Sequence, residues 1–205
     1  MKKFKTVLVS LAANNAKLVM LGIVAMIVFF ASFFPNMAMD ADPENMLEPT
    51  EPTRVFHNAA KKRFNLNETI VVGVIKEDDV NGVFNPQTMA QVYELTQFAK
   101  NLRINDPNHP GETTGIVEVD MIAPSMVDHL RQDGPGTIAF EWLMQHPPAT
   151  QAEALAIRDK TLSNPVLVGQ MISADGKALC LYLPLKDKLI SYDIYSALQE
   201  KIKEF

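Results

Sequence analysis

Apolar residues follow two different patterns along this chain. From Leu18 to Phe34 the sequence reads LVMLGIVAMIVFFASFF, apolar at nearly every position and without charge. After Thr53 they recur in short groups, spaced by two or by three to four residues. A helix that is apolar all round must be buried, in protein or in lipid. At 1.5 Å per residue the run spans ~26 Å, near the lower limit for crossing a hydrocarbon core. The apolar stretch Val7 to Ala13 lets the helix begin earlier. A cleaved signal peptide has a shorter apolar region ending in an Ala-x-Ala-like site, whereas this run ends Phe33-Phe34-Pro35-Asn36. The pattern therefore predicts a retained membrane anchor over 1–35. Lys2, Lys3, Lys5 and Lys17 precede the span, and no Lys or Arg lies between Leu18 and Thr53. The positive-inside rule puts the N-terminus in the cytoplasm and the residues after about 35 outside it.

Residues 36–52 carry prolines and acids (Asp40, Asp42, Glu44, Glu48, Glu51), which predicts an extended connector. The domain over 53–205 opens with a short helix to Phe64, with Phe56, Ala60 and Phe64 on one stripe and Asn65 as a left-handed terminator. Thr69 to Ile75 is β-branched and uncharged, the pattern of a strand buried on both faces. Asn85-Pro86 caps a helix to about Arg103, with Val92, Leu95, Ala99 and Leu102 inward. Gly115 to Met121 alternates and predicts a second strand, completing a β-α-β unit. Residues 122–165 read as a helical insertion, with one helix at Thr137 to Gln145. Another opens at the capping box Thr150-Gln-Ala-Glu153 and runs to about Leu162. A hairpin follows, Val166 to Ser173 with Lys177 to Leu185, and then a helix from Lys188 to Glu204 with Ile190, Ile194, Ala197, Leu198 and Ile202 inward. The expected class is α+β, a ferredoxin-like split β-α-β arrangement one strand short of closure.

Composition narrows the function. The formal net charge of -5 and the lack of a clustered basic face exclude nucleic acid as a partner. Lys61, Lys62 and Arg63 form the one basic group after the anchor and read as a solvated helix side. Cys180 is the single cysteine, so no intramolecular disulfide can form; its apolar neighbours predict a small core residue.

No nucleophile motif, phosphate loop or dinucleotide fingerprint is present. His57, His109, His129 and His146 are scattered without metal-ligand spacing. Glu77, Asp79, Asn81 and Gly82 match positions 1, 3, 5 and 6 of a calcium loop. Position 1 should be Asp, however, and position 12 falls on Thr88 where a bidentate Glu is needed, so a polar turn is expected. Asp120, Asp128, His129 and Asp133 cluster along the chain with no oxyanion device beside them and read as solvated loop residues. The sequence thus predicts no enzyme: no catalytic residue, no cofactor and no metal.

Several stretches taken in order resemble a known family. An N-terminal apolar helix leads through Met46-Leu47-Glu48-Pro49-Thr50-Glu51-Pro52 to Phe56. Phe64-Asn65-Leu66-Asn67-Glu68-Thr69-Ile70-Val71-Val72-Gly73-Val74 and Val83-Phe84-Asn85-Pro86 follow, and far downstream Asn164-Pro165 leads to Ile172-Ser173-Ala174-Asp175-Gly176-Lys177-Ala178. Together they resemble the first transmembrane helix and first periplasmic porter domain of RND-superfamily exporters, in the MMPL or patched-like branch. Asn65 stands where that family usually has Gly, and Asn also tolerates positive φ. The resemblance implies proton-gradient-driven export of lipids or other hydrophobic compounds at the bacterial inner membrane. Its partners would be the lipid bilayer, the remaining membrane helices, a second porter domain and the hydrophobic substrate, with homo-oligomer formation left open. The family's proton-relay carboxylates belong to later helices, so none is assigned here. The rival expectation is a bitopic protein whose outer domain binds a ligand or partner.

Overall fold

The computed structural model describes residues 13–34 and 46–205. The chain divides into two units, one ending at Ala59 and the other beginning at Ala60. Lys2, Lys3, Lys5, most of the Val7 to Ala13 stretch and the connector's Asp40, Asp42 and Glu44 lie outside the described residues.

In the first unit, helix α1 (Ala16–Ala31) has no buried residue. Phe29 stacks edge-on against Phe30 and Phe33, with ring centroids 5.5 and 5.3 Å apart. Its 16 residues amount to ~24 Å of helix. The α-helix ends at Ala31, short of the expected Phe34, although Ser32 keeps helical dihedrals and donates its hydroxyl back to Phe29 O at 2.7 Å. Among the described residues no helix is long and apolar enough to cross a membrane. Helix α2 (Pro52–Phe64) matches the expected element, and the unit boundary falls within it. Its stripe is not covered: Phe56 and Phe64 are both exposed. Asn65 ends it at φ 49°, the only positive φ outside glycine among the described residues, as its place in the sequence predicts.

The second unit is mixed α+β, with small antiparallel sheets. Strand β1 (Glu68–Ile75) pairs antiparallel with β6 (Ala178–Leu185) over its whole length, from Glu68 opposite Leu185 to Ile75 opposite Ala178. Between them in sequence come α3 (Pro86–Asn101), β2 (Arg103–Asn105) paired with β3 (Thr113–Gly115), β4 (Asp128–Gln132) paired with β5 (Ile138–Trp142), and α4 (Gln151–Ser163). Helix α5 (Ser191–Ile202) closes the described fold after a 3-10 turn at Lys188–Ile190.

One face of β1–β6 carries the core. Leu179, Leu181, Leu183 and Leu185 are buried with Met89, Val92, Leu95 and Ala99 of α3 and Ile194 and Leu198 of α5. Asn85 caps α3 as read from the sequence: its side-chain oxygen accepts from Thr88 N at 2.8 Å, and the adjoining Pro86 needs no partner there. Helix α4 is capped by Thr150, whose hydroxyl accepts from Glu153 N at 3.2 Å. The returning Glu153 carboxylate accepts from Ala149 N at 2.8 Å, one residue earlier than a standard capping box places it.

Five expectations need correction. First, β1 is not buried on both faces: Val71 and Ile75 are 53% and 67% exposed, because among the described residues no element covers that side. Second, Gly115 to Met121 is not one strand. Ile116 bridges Leu185 and Ile122 bridges Tyr182, both antiparallel, but Glu118–Asp120 loops out between them as a 3-10 turn. Polar partners draw it away: Lys100 reaches Glu118 at 2.6 Å and Asn67 reaches Asp120 at 2.9 Å, leaving Val119 exposed. Third, Thr137 to Gln145 is not a helix, and the insertion is not wholly helical. Gly134 and Gly136, at φ 98° and 79°, flank Pro135 and turn the chain into the β4–β5 hairpin.

Fourth, Val166 to Ser173 makes only isolated bridges, Ile172 to Leu179 among them. Gly169, at φ 82°, curls the segment instead. Fifth, Cys180 is half-buried on the sheet's bare face, opposite Gly73, because the inward positions of β6 are the odd-numbered leucines.

The free side of β6 is therefore covered by two short pieces. Val117 and Ile122 donate to Pro184 O and Tyr182 O at 2.8 and 3.1 Å, and Met171 O accepts from Cys180 N at 2.8 Å. The segment 116–122 runs parallel to β1 with β6 between them. Among the described residues, no strand pairs with the other edge of β1.

Candidate functional site

The residues that spacing had grouped as polar candidates do not converge. Asp79 closes its own turn: one carboxylate oxygen accepts from Asn81 N at 2.8 Å and the other from the Asn85 side chain at 3.3 Å. Gly82, at φ 59°, brings this turn against the 173–178 turn, where Val83 N donates to Gly176 O at 3.0 Å. A methyl at Gly82 would meet Gly176 O at 2.1 Å, so glycine is required there. Asp120 is held by Asn67, whereas Asp128 and His129 sit on β4 and Asp133 in the turn beyond it, 3.7 Å from Arg131. His109 contacts Asp106 at 3.2 Å, and a backbone bond from Asn108, followed by that histidine, holds the Asp106 carboxyl below its usual range. His146 contacts Pro147 O at 3.3 Å. Among the described residues no three His, Cys, Asp or Glu side chains gather where a metal could sit. Lys61, in the basic group, pairs with Glu68 at 2.5 Å.

Two apolar surfaces stand out instead. One is the β4–β5 hairpin. Its register sets Leu130 opposite Phe140, Gln132 opposite Ile138 and Asp128 opposite Trp142, so alternation gathers all six on one face. Leu130, Ile138, Phe140 and Trp142 are each at least half exposed. The other face is polar, and Glu141 there pairs with Lys160 of α4 at 2.9 Å. The signal for this surface was in the sequence. Ile138, Phe140 and Trp142 alternate with Ala139 and Glu141, the period of a strand, just after a Gly-Pro-Gly turn.

The second surface lies along the unpaired edge of β1. Beneath it runs a groove of about 180 Å³ between the sheet, α3 and the end of α5, lined by Val72, Val74, Val92, Leu95, Ile202 and Phe205. Among the described residues, neither surface brings together a nucleophile, a general base and an oxyanion donor. Comparison with family models, with curated proteins and with solved structures gives no match for this chain.

Proposed function

We propose that the chain is the N-terminal part of an RND-superfamily exporter of the MMPL or patched-like branch. It supplies a membrane helix and part of a ferredoxin-like porter domain on the extracytoplasmic substrate pathway for lipids or other hydrophobic compounds. One observation carries the reading: β6 lies between β1 and the parallel 116–122 segment, with α3 and α5 packed on the same face of the sheet. This arrangement supports the 1-3-2 strand order that a split β-α-β fold would have, in which a fourth strand lies beside β1. The uncharged run from Leu18 to Phe34 supports a membrane anchor.

The bitopic binding protein is the second reading, favoured by the uncovered Leu130, Ile138, Phe140 and Trp142 face. Two measurements separate the possibilities. An alkaline phosphatase that works only outside the cytoplasm, fused after Phe205, is expected to be active; an inactive fusion, with an active cytoplasmic reporter at the same site, reverses the orientation. Sequencing the message downstream is expected to reveal further membrane helices and a second domain of this kind. A stop codon directly after Phe205 sinks the exporter reading and leaves the bitopic one.

A further inference from the structure

We infer that the groove between the β2–β3 hairpin and the end of β6 binds a phosphate group, gripped by the guanidinium of Arg103 and neutralised further by Lys186. The groove, about 250 Å³, is lined by both of these cations with Thr113, Gly115 and Ile116, and by no carboxylate. It lies on the side of β6 away from β1, so it owes nothing to the open edge of that strand.

Strand register builds the site. Arg103 stands opposite Gly115 in the β2–β3 pair, and the antiparallel bridge of Ile116 to Leu185 sets Lys186 opposite Gly115 on its other side. Residues directly opposite one another in a ladder share a face. The row therefore reads Arg103, Gly115, Lys186: two cations flanking a position with no side chain. Thr113, two residues before Gly115, brings its hydroxyl to the same face. Glycine is required in the middle, because a Cβ there would meet Leu102 O at 2.4 Å and Nη1 of Arg103 at 3.2 Å.

The guanidinium is held so that its gripping edge is left over. Its Nη1 donates to the carbonyls of Lys100 and Leu102, both at 2.9 Å, at the C-terminal end of α3. The Nε and Nη2 donors make no hydrogen bond to the described residues, and this pair is a fork that matches two oxygens of one anion. The nearby carboxylates are committed elsewhere. Glu118 pairs with Lys100 at 2.6 Å, and Asp187 accepts from Leu189 N at 2.8 Å and from the side chain of Asn108. Among the described residues neither Arg103 nor Lys186 has an ion-pair partner, in a chain whose formal net charge is -5. Two cations match the double negative charge of a phosphate monoester better than the single charge of a carboxylate. A free phosphate and a lipid headgroup present the same group, so the site stands independently of the exporter reading.

The full chain in maltoside micelles, which carry no phosphate, provides the test. Titration calorimetry with inorganic phosphate in about 0.15 M salt, where scattered surface charges are largely screened, is expected to show one saturable site. Arg103→Lys keeps the charge but loses the fork and should weaken binding about tenfold. Lys186→Gln breaks no contact of the described fold and should weaken it by a similar factor. Lys76→Gln, at a lysine outside the groove, should change nothing. Dihexanoyl phosphatidic acid and glycerol 3-phosphate then separate the two sources: binding of the lipid tighter by about tenfold or more assigns the site to a headgroup, and a smaller difference assigns it to a free phosphate. The absence of saturable binding by all three compounds overturns the proposal. So does binding that either Arg103→Lys or Lys186→Gln leaves intact, and so does an equal loss in Lys76→Gln, which would reduce the effect to general charge attraction.

Discussion

The two main strand pairs, β1–β6 and β4–β5, have the same antiparallel geometry and opposite fates. Each gathers large apolar side chains on one face. In β6 these are Leu179, Leu181, Leu183 and Leu185, all within 2% of complete burial; in the hairpin, Leu130, Ile138, Phe140 and Trp142 keep half or more of their surface in solvent. Side-chain type does not separate them. The difference is that α3 and α5 lie over the first pair, while the hairpin meets the rest of the fold through its polar face, by Glu141 and Lys160. Alternation specifies a strand and its two faces, but a second layer decides which apolar face becomes core.

The largest effect should come from truncating matched positions in the two pairs. Leu181→Ala removes a fully buried side chain between two helices and is expected to cost about 2–5 kcal/mol. Phe140→Ala deletes a larger side chain that is 73% exposed and should stay within about 0.5 kcal/mol. Denaturant unfolding of both variants, followed by far-ultraviolet circular dichroism, checks this. Equal losses would mean that the hairpin face is covered in solution and that the contrast is false.

A smaller effect is expected where the sequence already marked the start of a helix on the core. Asn85→Ala loses the cap on Thr88 N and leaves Asp79 without its side-chain donor, for about 1 kcal/mol. Thr150→Ala at the start of α4 should cost a similar amount. Asn85→Asp keeps the capping oxygen and should recover most of the loss, unless the new charge beside Asp79 opposes it. If neither cap matters, the helices over the sheet are held by packing alone.

These caps were legible because the interactions are local: Asn85, Pro86, Thr150 and Glu153 act within one turn of chain. The same holds for Asn65, whose positive φ follows from its place after Phe64. The order of β1, α3, α4, β6 and α5 was likewise readable from periodicity. Long-range partners were not. Glu118 and Asp120 sit in an alternating stretch that reads as a strand, and only Lys100 and Asn67, distant in sequence, pull it into a turn. Cys180 lies in an apolar run, and its face is set by pairing with β1. The hairpin misreading was avoidable, since Ile138, Phe140 and Trp142 have a period of two. The failed grouping of Asp120, Asp128, His129 and Asp133 has the opposite cause: closeness in sequence was not closeness in space, because the first is held by Asn67 and the others ride on the hairpin.

The smallest effect probes the polar contact by which the hairpin is held. A hydrogen bond from Lys160, reinforced by its charge, holds the Glu141 carboxyl below its usual 4.5. A carboxyl depressed in the folded state adds stability at pH above its unfolded value, and that contribution is lost as pH falls through the folded one. The link between β5 and α4 should therefore be constant from neutral pH to about 5, a range set by that unfolded value, and loosen only below 4.5. Trp142, the only tryptophan, adjoins Glu141 and reports on it. Its emission is expected to shift in a step centred below pH 4.5, while far-ultraviolet circular dichroism holds, since the leucines of β6 do not titrate. Asp128 stands opposite Trp142, so the assignment needs Glu141→Gln. That variant should show the loosened emission at every pH and lose the step. A step that persists in Glu141→Gln overturns its assignment to the Glu141–Lys160 contact. A midpoint above 4.5 would mean that Lys160 does not engage the carboxylate in solution, and the hairpin would then swing free of α4 with both of its faces exposed.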